Sequence, residues 1–302
     1  MVSELAAIKS PDSHLSGIGQ IGDFLEEQLG RAHRLRNMVE LLGPVNTSRT
    51  LYARFAPNSV TDIVINNQPR LRFPLQLTTT PSDTANYRDI FGDNDYELPK
   101  EFDELIDGLP IVDMGAFIGI SAAYFASRYQ RSQILAVEPH YRNYSLLEVN
   151  AKPYNGQITP IFGAISPKRG IAMPSHPSGT DPHAYMGNIF SVNGQNGFPH
   201  QAQVDRSPTA ILPEDIADRV EGSIGILKVD IEGAEKALFL SDGISELLRR
   251  TTVLMIETHD RFMSGCSQAV EAAVKHSRLK EIPLTPHTKT YVNKQARLTG
   301  NQ

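Results

Sequence analysis

Asp113, Gly115 and Gly119 lie in the run Ile111-Val-Asp-Met-Gly-Ala-Phe-Ile-Gly-Ile-Ser121, where an apolar segment gives way to a glycine-spaced turn. Glycine permits positive φ and lets a ligand rest against the backbone, and a helix starting near Gly119 offers unpaired N–H groups to an anion. A dinucleotide fingerprint needs glycine at 115, 117 and 120, but Phe117 and Ile120 stand there. A bulky Phe where a pyrophosphate approaches argues against NAD. The Asp-x-Gly-x-x-x-Gly spacing suits a ligand with an amino-acid tail, whose ammonium meets a carboxylate and whose carboxylate faces amides. A plain strand-to-helix turn is the alternative.

Three further stretches carry charge to the ends of apolar runs. Leu135-Ala-Val-Glu138-Pro139 places an acid 23 residues beyond Gly115. In doubly wound sheets an acid about 20 residues on, at the end of the second strand, accepts hydrogen bonds from a ribose diol. S-adenosylmethionine and NAD both have that ribose, so Glu138 does not separate them. A solvated acid before a proline-started helix is its bland reading. Ile226-Leu-Lys228-Val-Asp230-Ile-Glu232-Gly233-Ala-Glu235 delivers acids to the same sheet edge, where α/β folds place ligands. Val253-Leu-Met-Ile-Glu257-Thr-His259-Asp260 adds an acid and a histidine, a natural general base near neutral pH. His259 is the first candidate for removing a proton and Asp230 its rival. A Mg²⁺ route through Asp230 and Glu257 ranks lower, because Glu232 is expected to face away from Asp230 and Lys228 shares Asp230's face. His176, His183 and His200 fall in an irregular stretch without convincing metal spacing.

These residues need a parallel sheet to bring them together. From Leu109 onward short apolar runs alternate with helical segments, the pattern of a sheet covered on both faces. Expected strands are Pro110–Asp113, Gln133–Glu138, Ile158–Phe162, Ile224–Ile231 and Thr251–Thr258. Expected helices are Ile118–Arg128, Tyr141–Asn150, Ala234–Leu240 with Ile244–Arg249, and Ser267–Ser277. Lys280–Leu284 and Lys289–Asn293 read as an antiparallel pair at the sheet edge. Upstream, an apolar stripe runs from Leu15 to Leu42 at helical spacing and stops at Gly43-Pro44. Asp62–Ile65 and the alternation from Leu71 to Leu77 suggest strands, the second pushed to an edge by Pro74. The division expected is an α+β lobe over 1–95 and a ligand-binding α/β domain over 96–302. Gly170–Pro208, rich in Gly, Pro, His and Asn, reads as a functional or mobile insertion, a cap over the substrate.

Composition excludes several classes. The 302 residues carry 29 Lys plus Arg against 34 Asp plus Glu, a formal net charge of -5, so there is no basic footprint for nucleic acid. Apolar runs such as Val253–Ile256 fall far short of the ~18 residues that a membrane span needs. The single Cys266 rules out an intrachain disulfide or thiolate cluster, and the N-terminal residues lack a signal-like apolar stretch. A soluble, cytoplasmic protein is expected.

In combination, Asp113–Gly119, Glu138-Pro139 with Asn143 and Leu147–Asn150, the whole of Lys228–Glu235, and Ile256–His259 resemble the FkbM family of S-adenosylmethionine-dependent methyltransferases. Asn94–Tyr96 is similar to the family's acidic-Tyr segment. The resemblance spans roughly residues 80–260, with Phe117 standing where the family commonly has Asn. It implies a doubly wound, mostly parallel seven-stranded-type sheet and methyl transfer to a hydroxyl of a small molecule such as a sugar or a polyketide-like metabolite. Asp113, Gly115, Ala116, Phe117 and Gly119 would then hold the methionine end. Glu138, with Pro139 and Asn143, would take the ribose, and backbone near Phe162 and Ala164 the adenine. An NAD(P)- or sugar-nucleotide-dependent enzyme on a similar sheet, or a non-catalytic ligand-binding protein, are the competing classes.

Overall fold

A computed structural model describes residues 32–56, 60–170, 172–174, 190–192, 207–285 and 287–293. The helical stripe therefore begins, among these residues, with α1 (residues 32–42). Its earlier part, with most of Gly170–Pro208 and with His176, His183 and His200, lies outside the described residues. Gly43 interrupts the helix at φ 77°, and Pro44 starts α2 (Pro44–Phe55) at once. Proline has no N–H to lose and a preset φ, so the pair that stops one helix opens the next. β1 (Asp62–Ile65) and β2 (Leu75–Thr78) form an antiparallel pair in which Ile63 faces Leu77. The second strand starts only after Pro74, later than the alternation suggests. α3 (Pro81–Phe91) was not expected from its polar composition. Its signal is local: the Thr80 hydroxyl accepts the Asp83 N–H, and Pro81 occupies the first turn. The short α4 (Asp103–Ile106) leads into the sheet.

The remaining elements follow the expected alternation. β3 (Ile111–Met114), α5 (Ile120–Arg128), β4 (Ile134–Glu138), α6 (Tyr141–Ala151) and β5 (Ile158–Ile165) come first. β6 (Ala172–Pro174) and β7 (Phe190–Val192) pair antiparallel within the segment read as irregular. Then come β8 (Thr209–Ile211), α7 (Pro213–Ala217), β9 (Ile224–Val229), α8 (Glu235–Phe239), α9 (Gly243–Arg250), β10 (Thr251–Ile256), α10 (Cys266–Lys275), β11 (Leu279–Ile282) and β12 (Lys289–Asn293). The main sheet has the order β11-β12-β10-β9-β3-β4-β5-β8, with β12 antiparallel to both neighbours. An eighth strand, β8, thus extends the seven-stranded pattern beside β5. β9 and β10 each end two residues earlier than expected, which frees Asp230 to Glu232 and Glu257 to His259 from strand alternation.

Period two sorts the strand residues into two cores. Ile111, Ile226, Val253 and Met255 join Phe125 of α5 and Leu147 of α6, and Ile63, Leu77 and Tyr87 of the upstream elements join the same cluster. Val112, Met114, Leu227, Val229, Leu254 and Ile256 pack against Leu238, Leu247 and Val270 on the other face. Each such side chain contributes ~1.5–3 kcal/mol on burial. Asp113 and Lys228 are paired neighbours across β3 and β9, on the face occupied by Ile111 and Ile226. Their charge therefore lies beneath the crossing loops.

Candidate active site

β3 ends at Met114 and the chain turns through Gly115 (φ 82°), Phe117 (φ 52°) and Gly119 (φ 86°) before α5. Gly115 is required by proximity: a Cβ there would lie 1.7 Å from the Asp230 carbonyl oxygen. Its own carbonyl accepts a hydrogen bond from Lys228 Nζ at 2.6 Å. Gly119 is required for a different reason, because its Cβ would meet Leu147 Cδ1 of α6 at 2.7 Å. It does not line the cleft, and the expectation that it admits a cofactor is replaced by helix packing. Ala116 is likewise buried, its N–H bonded to the Val137 carbonyl at 2.9 Å. Phe117 holds a conformation that costs a non-glycine residue on the order of 1–3 kcal/mol. In return its N–H points at the Glu138 carboxylate, 3.0 Å away.

Glu138 is 5% exposed and lies on the wall of an open cleft of about 750 Å³, solvent at its mouth included. Oε2 accepts the Phe117 N–H; Oε1 accepts the His140 N–H at 2.9 Å and Asn143 Nδ2 at 3.3 Å. Burial pushes the carboxyl up to about 8, further than these hydrogen bonds pull it down. An ionised carboxylate has about four acceptor sites, so capacity remains on Oε2. Pro139, His140, Asn143 and Asn86 share the wall. Gly163, Ala164 and Ile165 line its far side, whereas the Phe162 ring packs against Tyr141 and Tyr144 at 5.7 and 5.3 Å. The Phe162 ring thus supports α6, while Gly163 and Ala164 beside it line the cleft.

Asp113 is also corrected. It is fully buried, accepting the Ser121 hydroxyl at 2.6 Å, with Lys228 Nζ 3.1 Å from its other oxygen. It meets the loop from beneath and does not reach the cleft. Lys228 is 3.5 Å from Asp230 Oδ2 as well, and 5.9 Å from the centre of the buried Tyr96 ring. Burial opposes the ammonium, but Asp113, Tyr96 and Asp230 together hold it above its usual range.

Asp230, Glu232 and the Gly115 loop line the cleft on its other side. Past the end of β9 the chain takes φ 54° at Glu232, which turns that side chain toward Asp230. The expectation that Glu232 faces away from Asp230 is thereby corrected: strand alternation puts residues two apart on one face, so the spacing never separated them. His259 Nε2 is 3.4 Å from Glu232 Oε2, 3.7 Å from Asp230 Oδ1 and 3.6 Å from Glu257 Oε1. Its Nδ1 lies 2.9 Å from Glu235 Oε1, and its ring stacks on the exposed Phe262. Burial alone lowers the imidazole, but the Glu235 bond and the charges of Glu232 and Asp230 bring it up to about 9. Burial first, then Asp230, lifts Glu232 to about 7. One end of the cleft is thus a backbone cradle, and the other is an acid cluster around one histidine.

Residues 113–274, just over half of the chain, match the Methyltransferase FkbM domain model. The chain belongs to the FkbM methyltransferase family. Its sheet is also similar to solved structures. A methyltransferase FkbM from Methylobacillus flagellatus is 17% identical at a TM-score of 0.42, aligned over 62% of this chain and 44% of that one. Fibrillarin from Aeropyrum pernix, solved with natively bound S-adenosyl-L-methionine, is 14% identical at a TM-score of 0.39, over 68% and 74%. No curated protein matches the chain. Among its described residues no helix is long and apolar enough to cross a membrane.

Four site residues of this FkbM chain escaped the sequence. Glu235 ends the Lys228–Glu235 motif, and its spacing from His259 gave no hint of contact. Tyr96 lay in the recognised acidic-Tyr segment with no role attached. His140 follows Glu138-Pro139 directly. Asn86 comes from α3, an element with no apolar periodicity to announce it.

Proposed function

We propose that this methyltransferase acts on a hydroxyl oxygen of a small molecule, with the cofactor held at the Gly115–Glu138 end of the cleft. The observation that carries the reading is Glu138: a buried carboxylate on the cleft wall, braced by two backbone N–H groups, with acceptor capacity left for a diol. The donor set fits S-adenosylmethionine. Glu138, steadied by Asn143, takes the ribose hydroxyls; Ala164, with Gly163 and Ile165, gives an apolar slot for the adenine; Pro139 closes the edge between them. Gly115 and the backbone leading to Phe117 would hold the methionine end, while Asp113, Ala116 and Gly119 hold that loop in shape from behind.

When bound, S-adenosylmethionine supplies a methyl group on an electrophilic sulfonium, so alignment and proton removal are the protein's share. Asp230 stands first as proton acceptor, ahead of His259, because His259 already carries its proton near neutral pH. His259 orients Asp230 across 3.7 Å and is itself fixed by Glu235. A small neutral acceptor fits this end better than nucleic acid, since Asp230, Glu232 and Glu257 repel a phosphate backbone. A thermal-shift panel with S-adenosylhomocysteine, NAD⁺ and NADP⁺, followed by transfer of labelled methyl to a panel of sugars and polyketide-like alcohols, tests the reading. Stabilisation by S-adenosylhomocysteine alone and label on an alcohol oxygen are expected. Stabilisation by a nicotinamide dinucleotide instead would replace the reading.

A further inference from the structure

The acid end of the cleft holds more negative charge than methyl transfer to a neutral hydroxyl needs. Three carboxylates, those of Asp230, Glu232 and Glu257, surround one imidazole nitrogen within 3.4–3.7 Å. The facing cations are Lys228, tied to Asp113 and to the Gly115 carbonyl, Arg261, which sits over the Phe262 ring, and the imidazolium of His259 itself, which gives up its Nε2 proton when an ion binds. We propose that His259 Nε2, Asp230 Oδ1 and Glu232 Oε2 form a binding site for one divalent cation of the first transition row, with Glu257 at its rim.

Three observations support a site over a mere acid patch. The ligand atoms of Asp230, Glu232 and His259 all lie within 4.8 Å of one another. Donors sharing a metal at ~2.0–2.2 Å in a tetrahedral array stand roughly 3.3–3.6 Å apart, close to the distances around Nε2. Second, His259 is 2% exposed and aimed. Glu235, itself fully buried, binds Nδ1 and also accepts the Gly233 and Ile231 N–H groups, so Nε2 can only face the carboxylates, where it makes no hydrogen bond. A buried carboxylate behind a histidine is the arrangement that fixes the tautomer and orientation of a metal ligand. Third, Glu232 Oε2 is a buried oxygen with no hydrogen-bond partner. Buried acceptors left unpaired are uncommon, and each asks for a missing donor or ion.

The ligand types choose the class of metal. Two carboxylates alone suit Mg²⁺ or Ca²⁺, whereas the imidazole favours Mn²⁺, Fe²⁺ or Zn²⁺. Three protein ligands leave a coordination position open toward the cleft, as in catalytic rather than structural sites. Its role rests on the proposed methyl transfer: an acceptor hydroxyl taking the open position would lose its proton more readily, to Asp230 Oδ2, the oxygen that does not hold the ion. Binding of the ion itself does not depend on that reading.

The test uses the full chain, stripped with EDTA and dialysed, titrated with MnCl₂ and followed by loss of the free Mn²⁺ electron-spin-resonance signal. One ion per chain with micromolar affinity is expected, weakened at least 30-fold in Glu232→Gln. Asp230→Asn is the second variant, should the first fail to fold, and the same weakening is expected. No binding below 1 mM Mn²⁺, or binding that both variants leave unchanged, overturns the site. S-adenosylhomocysteine affinity measured on the same samples separates the two ideas. Cofactor binding without Mn²⁺ removes only the metal, and Mn²⁺ binding without cofactor binding removes only the methyltransferase placement.

Discussion

The two ends of the cleft are built from different materials. At the Gly115–Glu138 end the chain presents backbone: a turn of positive-φ residues, two N–H groups on one carboxylate, and small residues of β5. At the Asp230–His259 end it presents side chains, three carboxylates around one imidazole nitrogen. Backbone geometry is fixed by neighbouring chain and tolerates little substitution. Side-chain clusters are set by charge balance and respond to ions and pH. The cradle should therefore fail through sterics and the cluster through electrostatics.

The steepest steric test is Gly115→Ala. A methyl group 1.7 Å from the Asp230 carbonyl forces β3 and β9 apart at their ends, where Asp230 N–H also bonds the Met114 carbonyl. We expect destabilisation by ~4 kcal/mol or more in urea unfolding. Stability close to wild type would mean that the loop is not locked by this approach. Gly119→Ala is milder, because its clash is with the movable end of Leu147. A loss of ~1–3 kcal/mol is expected from overpacking and the positive φ. Affinity for S-adenosylhomocysteine should stay unchanged. A weakened affinity at intact stability would return Gly119 to the cofactor wall.

The smallest effect is that of pH on the cradle. Glu138 has its folded carboxyl raised to about 8, mainly by burial, so the free protein holds a proton there that the unfolded chain releases near its ordinary value of 4.5. Stability from this group therefore falls as pH rises between those values. Ribose hydroxyls donate to the carboxylate and favour its charged form, so binding should release a proton. Besides the Phe117 and His140 N–H groups and Asn143, Lys228 favours the charged form from a distance. Affinity for S-adenosylhomocysteine should tighten as pH rises from 6 to 8, by at most about tenfold per unit, and level off above. Calorimetry in buffers of different ionisation enthalpy would read the proton directly. A flat profile would show that Glu138 is already ionised in the free protein.

Much of the fold was legible because period and punctuation are local. The strand runs at Ile111, Ile134, Ile158, Ile224 and Thr251 and the terminal pair needed only apolar spacing and flanking breakers. α3 and β8 were not, since a polar helix capped by Thr80 and a three-residue edge strand carry little periodic signal. In the site, Glu138 was legible from its distance to Gly115. Asp113 was misplaced because spacing does not say which face of β3 it takes, and the pairing with Lys228 across β9 decides that. Glu232 was misplaced because residues two apart, as 230 and 232 are, share a face under strand alternation, and it was read as facing the opposite way. Glu235 meeting His259 is a contact between separate elements, which spacing along the chain does not encode.

Cofactor placement at the backbone end is tested most directly by calorimetric titration of S-adenosylhomocysteine into wild type and Glu138→Ala. Hydrogen bonds to a charged acceptor contribute about 1.5–3 kcal/mol each, so losing a bonded pair should weaken binding on the order of a hundredfold or more. The expected result is one saturable site in wild type, that loss in Glu138→Ala with the urea midpoint maintained, and no saturable heat with NAD⁺. Equal affinity in the two proteins, or no binding to either, would contradict it.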